Sequence, residues 1–332
     1  MRRLEQYWYR VSPLHLALWP LSVAFGAVAA LRRLLYRSGL LRATQLPVPV
    51  VVIGNISVGG TGKTPLTIWL AHWLSERGWH PGIVSRGYGG SSVAPHRVAA
   101  DTDPQLAGDE PVLLARRAGC PVWAGDKRAA AALALLAAHP DCDVILSDDG
   151  LQHYALARDI EIVVIDGERG CGNGMLLPAG PLREPVRRLE RVDAVVINGA
   201  TLFPGMQLPG AVPVFEMNLT GSTFYNLPNP RQHAGPKRFV QQRVHAVAAM
   251  GNPQRFFNHL QELGLSFTAH PFPDHHAYHA ADFAFAGDDV VVMTEKDAVK
   301  CERLCNENHW ALRVDGVVDP ALGELVLGRL KR

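Results

Sequence analysis

One octapeptide, Ser57-Val58-Gly59-Gly60-Thr61-Gly62-Lys63-Thr64, restricts the fold of this 332-residue chain more than any other stretch. A glycine-rich run ending in Gly-Lys-Thr has few structural uses, and its context narrows them further. Pro47–Ile53 before it is a short β-branched run that reads as a buried strand. Pro65 to Arg77 after it reads as a helix, with Pro65 placed where a missing amide donor does no harm. Strand, glycine turn and helix in that order aim backbone N–H groups and the positive end of a helix at an anion. Lys63 would reach the β and γ phosphates of a nucleoside triphosphate, and the Thr64 hydroxyl would ligate Mg²⁺. Ser57 stands where the usual pattern has its first glycine. Val58 replaces the extra lysine of one dimerising ATPase branch, which argues against a partition-type ATPase.

Further strand and helix signals alternate along the chain. Ile83–Val84, Val144–Leu146 and Ile160–Ile165 read as buried strands, and Ala129 to Ala138 as a helix. The alternation predicts an α/β fold built on a P-loop NTPase-type parallel sheet covered on both faces. A Gly/Pro-rich passage, Gly167 to Pro185, separates this part from a second set: Val192–Ile197, Val244–Ala249, a Pro253–Leu263 helix and Val290–Met293. Pro204 to Pro236 reads as irregular or hairpin-like. The expected organisation is a membrane-associated N-terminal helix in 1–42, a P-loop lobe in 43–166 and a smaller α/β lobe with a substrate cleft in 167–332. Whether the C-terminal end returns to the first lobe stays open.

Bulk charge is nearly balanced at +2, which gives no reason to expect nucleic-acid binding. The five cysteines make no disulfide framework, and Cys301 and Cys305 lack a second ligand pair at zinc-like spacing. Leu14 to Leu31 is almost wholly apolar, with Arg2, Arg3 and Arg10 before it and Arg32, Arg33 and Arg37 after it. Arginine on both flanks leaves the positive-inside rule undecided. It suits a helix lying in the interface, with Trp8, Tyr9, Trp19 and Tyr36 as an aromatic belt. A spanning helix and a buried core helix remain the alternatives.

Carboxylates complete a kinase pattern. Asp148-Asp149-Gly150 follows a buried strand, at the sheet edge where phosphates bind, although the tripeptide is also a common turn. Gly108-Asp109-Glu110-Pro111 offers either a base for a hydroxyl acceptor or an ordinary acidic helix start. Arg86, Arg128 and Arg183 lie in loop-like surroundings suited to clamping a phosphoryl group. Asp274-His275-His276 reads as a proton relay or as a surface loop.

Taken together these blocks resemble the tetraacyldisaccharide 4'-kinases of lipid A biosynthesis. The resemblance rests on Gly54–Pro65, Ser85–Gly89, Gly108–Pro111, Asp148–His153, Arg158-Asp159, Pro178–Pro185, Phe272–His276 and Thr294–Asp297, in that order along nearly the whole chain. The family shares the serine at the start of the loop; Leu151 replaces an aromatic often seen there. Membership would imply transfer of the ATP γ-phosphate to the 4'-hydroxyl of tetraacyldisaccharide 1-phosphate, giving lipid IV-A, at the cytoplasmic face of the inner membrane of a Gram-negative bacterium. It would make Asp109 the catalytic base with His275 its partner, and Lys63 and Arg128 charge stabilisers. Thr64, Asp148, Asp149 and Glu110 would be metal-side groups, and Tyr88, Gln152, His153 and Arg183 substrate contacts. Glu295, Lys296 and Asp297 match a family block without a role readable from residue chemistry. A monomer is expected. The rival reading is a membrane-associated regulatory P-loop NTPase with no lipid acceptor, which would need neither Asp109 nor Asp274-His275-His276.

Overall fold

The β-branched run ahead of the glycine turn forms β1 (Val50–Gly54), buried throughout. Val51 and Ile53 enter one core and Val50 and Val52 another, so helices must cover both faces. This computed structural model describes residues 7–9, 13–199, 208, 210, 212–274 and 276–331. Helix α1 (Pro13–Arg37) precedes β1 and α2 (Lys63–Ser75) follows it. Next come β2 (Pro81–Ser85), β3 (His96–Val98), α3 (Pro104–Ala107), α4 (Asp109–Arg117), β4 (Val122–Ala124), α5 (Arg128–Ala138), β5 (Val144–Asp148) and β6 (Ile160–Asp166). The chain continues through β7 (Ala194–Asn198), β8 (Val214–Asn226), β9 (His233–Ala234), β10 (Val244–Ala248), α6 (Pro253–Glu262) and β11 (Thr268–Pro271). It ends with β12 (Val290–Thr294), α7 (Glu295–Cys301), β13 (His309–Val318) and α8 (Pro320–Leu330).

Among the described residues all strands join one sheet, ordered β11-β10-β12-β13-β8-β7-β6-β1-β5-β2-β4-β3, with β9 on β8. The nucleotide-side strands from β8 to β4 run parallel, and so do β13, β12, β10 and β11 on the other side. The two halves meet at the antiparallel pair β8–β13, whose register shifts between Arg313 and Asp315. One sequence expectation needs correction and another gains detail. Val192–Ile197, read as opening the second set, is β7 and pairs in parallel with β6 in the nucleotide half, where its apolar residues are buried on both faces. The Pro204–Pro236 stretch, read as irregular or hairpin-like, carries the long strand β8, which turns back into the short antiparallel β9. Phe215 and Met217 are buried there while Val214 and Glu216 are exposed. Its polar Thr, Ser, Gly and Asn residues weaken the strand pattern, and pairing with β13 overrides that weakness. Residues 204–207, 209 and 211 of the stretch lie outside the described residues. After the seam, α8 packs Leu322, Val326 and Leu327 into the core that holds Leu66 and Leu70 of α2.

The apolar segment is a 25-residue helix, long and apolar enough to cross a membrane by length and composition. One side faces the protein. The Ser22 hydroxyl donates to the Leu176 carbonyl (2.9 Å) and accepts from the Ala179 amide (2.9 Å), and His15 is buried. Arg33 pairs with Glu184 at 3.1 Å. Leu16, Trp19, Leu21, Val28, Leu31 and Leu34 are exposed on α1. Trp8 is not part of an outward belt: its indole donates to the Pro178 carbonyl at 3.0 Å. Tyr36 lies against Tyr154. Arg2, Arg3 and Arg10 fall outside the described residues.

Candidate active site

Between β1 and α2 the chain reverses through Gly59 (φ 106°) and Gly62 (φ 97°), left-handed conformations that disfavour a side chain. At Gly62 a Cβ would also strike the Asn198 side chain, whose amide donates to the Thr61 carbonyl at 2.9 Å. The Val58 amide donates to the Pro181 carbonyl at 2.9 Å, so the Pro178–Pro185 passage braces the loop from outside. Helix α2 starts at Lys63 with no side chain capping it, leaving its first amides suited to an anion. Gly251, in the turn between β10 and α6, lies against the loop so closely that a Cβ there would stand 3.1 Å from the Gly60 amide nitrogen. Arg169 donates to the Gly251 carbonyl at 2.6 Å, and Arg255 to the Asn198 side-chain oxygen at 2.8 Å. The far half of the sheet thus covers one side of the glycine turn.

Strand β5 neighbours β1 and delivers Asp148 and Asp149 to the same edge. Asp148 is fully buried; Oδ1 accepts from the Thr67 hydroxyl (3.1 Å) and Oδ2 has no hydrogen-bond partner. Burial, reinforced by Glu110, pushes its carboxyl up to about 7 against the pull of Lys63. Such an oxygen has the character of a group waiting for a cation. Asp149 sits at φ 46°, a strained position costing on the order of 1 kcal/mol. Lys63 (3.4 Å) and Arg183 (3.5 Å) flank its carboxylate, and buried Arg128 donates to its carbonyl at 2.7 Å. Burial alone would raise Asp149, but Lys63, Arg183 and Arg128 outweigh it and hold the carboxyl at about 2. The structure therefore brings Lys63, Thr64, Asp148, Asp149, Arg128 and Arg183 to one end of the sheet. Arg86 pairs with Asp126 at the surface, near enough for its charge to act on Arg128 and His153.

Asp109 and Glu110 open α4, and the Asp109 carboxylate accepts the Glu110 amide at 3.0 Å. The loop after β2 presses on this start, since a Cβ on Gly108 would meet the Tyr88 carbonyl; the Tyr88 side chain itself is exposed. Lys296, in the first turn of α7, belongs to the Glu295-Lys296-Asp297 block that residue chemistry leaves without a role. Its ammonium stands 3.1 Å from Glu110, 3.6 Å from Asp274 and 3.9 Å from Asp109. Burial would push that ammonium down, and the three carboxylates outweigh burial and hold it above its ordinary range. His276 is committed to Asp282 (2.9 Å) and stacks on Phe272. His275 lies outside the described residues. No group of three acids, histidines or cysteines could hold a metal among the described residues.

Gln152 is turned inward. Its amide donates to the Asn55 carbonyl (3.0 Å), just ahead of the glycine turn, and to buried Glu184 (2.9 Å). Glu184 also receives Tyr154 (2.6 Å) and faces Arg188 (3.3 Å) as well as Arg33. Burial, with Arg128, Arg158, Arg32 and Arg86 around it, brings His153 down to about 4. An unfolded His153 would bind its proton near the ordinary 6.5. Its contribution to stability is therefore complete above that value and is lost as pH falls toward 4. In thermal melts, His153→Asn is expected to flatten the loss of stability between pH 6.5 and 4.5. The upper limit is about 1.4 kcal/mol per pH unit, reduced by solvent screening of the half-buried ring.

A family model described as tetraacyldisaccharide-1-P 4'-kinase matches residues 14–331. The chain belongs to this family. Among similar members, the tetraacyldisaccharide 4'-kinase of Methylobacillus flagellatus is 53% identical over 331 residues, covering 100% of this chain and 96% of that one. That of Dechloromonas aromatica is 52% identical, covering 99% and 98%. The family's fold is also seen in the crystal structure of LpxK from Aquifex aeolicus in complex with ATP. It superposes with a TM-score of 0.81 at 30% identity, covering 96% of this chain and 99% of that one. The resemblance of the ordered blocks and the α/β sheet with its glycine turn are thereby borne out. Lys296, Asn198 and Glu184 escape residue-level reading, although Lys296 and Glu184 sit inside the Thr294–Asp297 and Pro178–Pro185 blocks.

Proposed function

We infer that this chain is an ATP-dependent lipid kinase that phosphorylates the 4'-hydroxyl of tetraacyldisaccharide 1-phosphate to give lipid IV-A. The observation that carries this reading is the constellation at one sheet edge. Lys63, Asp149, Arg183 and Arg128 interlock there, and Asp109 is drawn toward the far half of the sheet through Lys296. In this reading Ser57–Thr64 wraps the triphosphate, and Lys63, Arg128 and Arg183 stabilise charge on the phosphoryl group as it moves. Asp109 accepts the proton of the sugar hydroxyl, with His275 as its partner. Thr64 and the unpartnered Oδ2 of Asp148 would hold Mg²⁺, with Glu110 nearby, while Asp149 organises the basic groups. Bound there, Mg²⁺ neutralises phosphate charge. The turn at Gly251 keeps water from the phosphates, since hydrolysis would waste ATP. Tyr88, exposed at the mouth, and His153 suit contacts to the disaccharide, whereas Gln152 supports the site from behind.

We place the protein at the cytoplasmic face of the inner membrane, with α1 lying along the bilayer. Ser22, in the middle of that helix, is bonded to the body of the protein, so a spanning arrangement would draw the nucleotide half into hydrocarbon. The two halves about the β8–β13 seam then act as nucleotide and acceptor lobes. Incubating the full chain with Mg-ATP and tetraacyldisaccharide 1-phosphate in mixed micelles is expected to give a phosphorylated lipid and ATP turnover that requires the lipid. ATP hydrolysis at the same rate without acceptor would favour the regulatory NTPase and sink the kinase.

A further inference from the structure

Resting on the assignment of Asp109 as base, we propose that Lys296 is a positioning residue for the transfer. It fixes Asp109 of the nucleotide half against Asp274 of the acceptor half, the residue that precedes His275 in the sequence. Three carboxylates from two separate parts of the chain surround its ammonium, at 3.1, 3.6 and 3.9 Å from Glu110, Asp274 and Asp109. Without a cation between them, three like charges this close would repel one another and part.

The backbone that carries Lys296 is itself held from several sides. Thr294 caps α7 by accepting the Asp297 amide at 3.1 Å. Glu295 pairs with Arg117 of α4 and accepts the Val314 amide of β13 at 3.0 Å. Asp297, fully buried, accepts the Ala249 amide at 3.0 Å, two residues before the Gly251 turn that covers the glycine loop. The first turn of α7 is thus bonded to α4, to the seam strand β13 and to the loop cover. Lys296 cannot follow one carboxylate without abandoning the others. An unassigned Thr-Glu-Lys-Asp block becomes a brace: Glu295 and Asp297 fix the helix, and Lys296 fixes the acids.

A brace that served only folding would change stability and leave the kinetic constants of the folded protein alone. A positioning residue lowers kcat while leaving ATP binding untouched, and a misplacement of about 1 Å can cost about 100-fold. The test uses the full chain with Mg-ATP and the lipid acceptor in mixed micelles. Lys296→Met is expected to lower kcat about 100-fold, with KM for ATP and the Kd of a fluorescent ATP analogue within about threefold. Lys296→Arg, which keeps the charge on a bulkier head, should recover kcat only to about a tenth of wild type. Because Lys296 acts through Asp109, Lys296→Met added to Asp109→Asn should lower kcat no further than Asp109→Asn alone. A wild-type kcat in folded Lys296→Met overturns the proposal, as does a double variant in which the two losses multiply. Should Lys296→Met fail to fold, Lys296→Arg decides: kcat down about tenfold at constant KM for ATP supports the proposal, and unchanged kcat overturns it. Asp109→Asn with full turnover would remove the base assignment and this inference with it. Asp109→Asn inactive beside fully active Lys296→Met would remove the inference alone.

Discussion

Lys63→Met is expected to cut lipid phosphorylation by about a thousandfold or more and to weaken ATP binding at the same time. The ammonium is the charge that the glycine loop carries into the site, at the first residue of α2, where the helix end already favours an anion. It also lies 3.4 Å from Asp149 and opposes the upward push on Asp148. Removing it leaves two adjacent carboxylates with less positive charge nearby, so the variant without nucleotide should melt at a lower temperature. Calorimetric titration with ATP, together with transfer of labelled phosphate to the lipid, measures both effects. Retention of both affinity and transfer would leave no basis for a triphosphate at this loop.

Asp109→Asn should behave differently. Asparagine keeps an oxygen that can accept the Glu110 amide, so the start of α4 survives, but it cannot take a proton from a hydroxyl. The expected outcome is a fall in kcat of about 10²–10⁴-fold with ATP affinity within about twofold of wild type. Steady-state kinetics with varied lipid, paired with nucleotide binding, separate the two. Parallel losses of ATP affinity and turnover would instead mean that Asp109 belongs to the nucleotide cradle.

What could be read from the chain alone was whatever is local or periodic. The glycine loop is eight consecutive residues, and β1, β5 and β6 are short, mostly apolar runs, so the nucleotide half was legible. Strand β8 was legible only as part of a hairpin-like stretch, because its long partner β13 lies far along the chain. Lys296 meets Glu110 across 186 residues, a relation that no spacing rule encodes. Ser22 interrupts an apolar run and looks like an imperfection of a membrane helix until Leu176 and Ala179 appear beside it. Gln152, drawn from its block as a substrate contact, donates its amide to Asn55 and Glu184, partners that lie elsewhere in the sequence.

Glu184 ties the leading helix to catalysis in a way that bears on how the protein can be handled. Arg33 reaches it from α1, while Gln152 and Tyr154 reach it from the loop that follows Asp149. Trimming residues 13–37 to obtain a freely soluble enzyme would remove more than a tether. It would take a counter-ion from an occluded acid and slacken the rear wall behind the phosphates, so low activity in such a truncate would speak of a damaged chamber as much as of a lost bilayer.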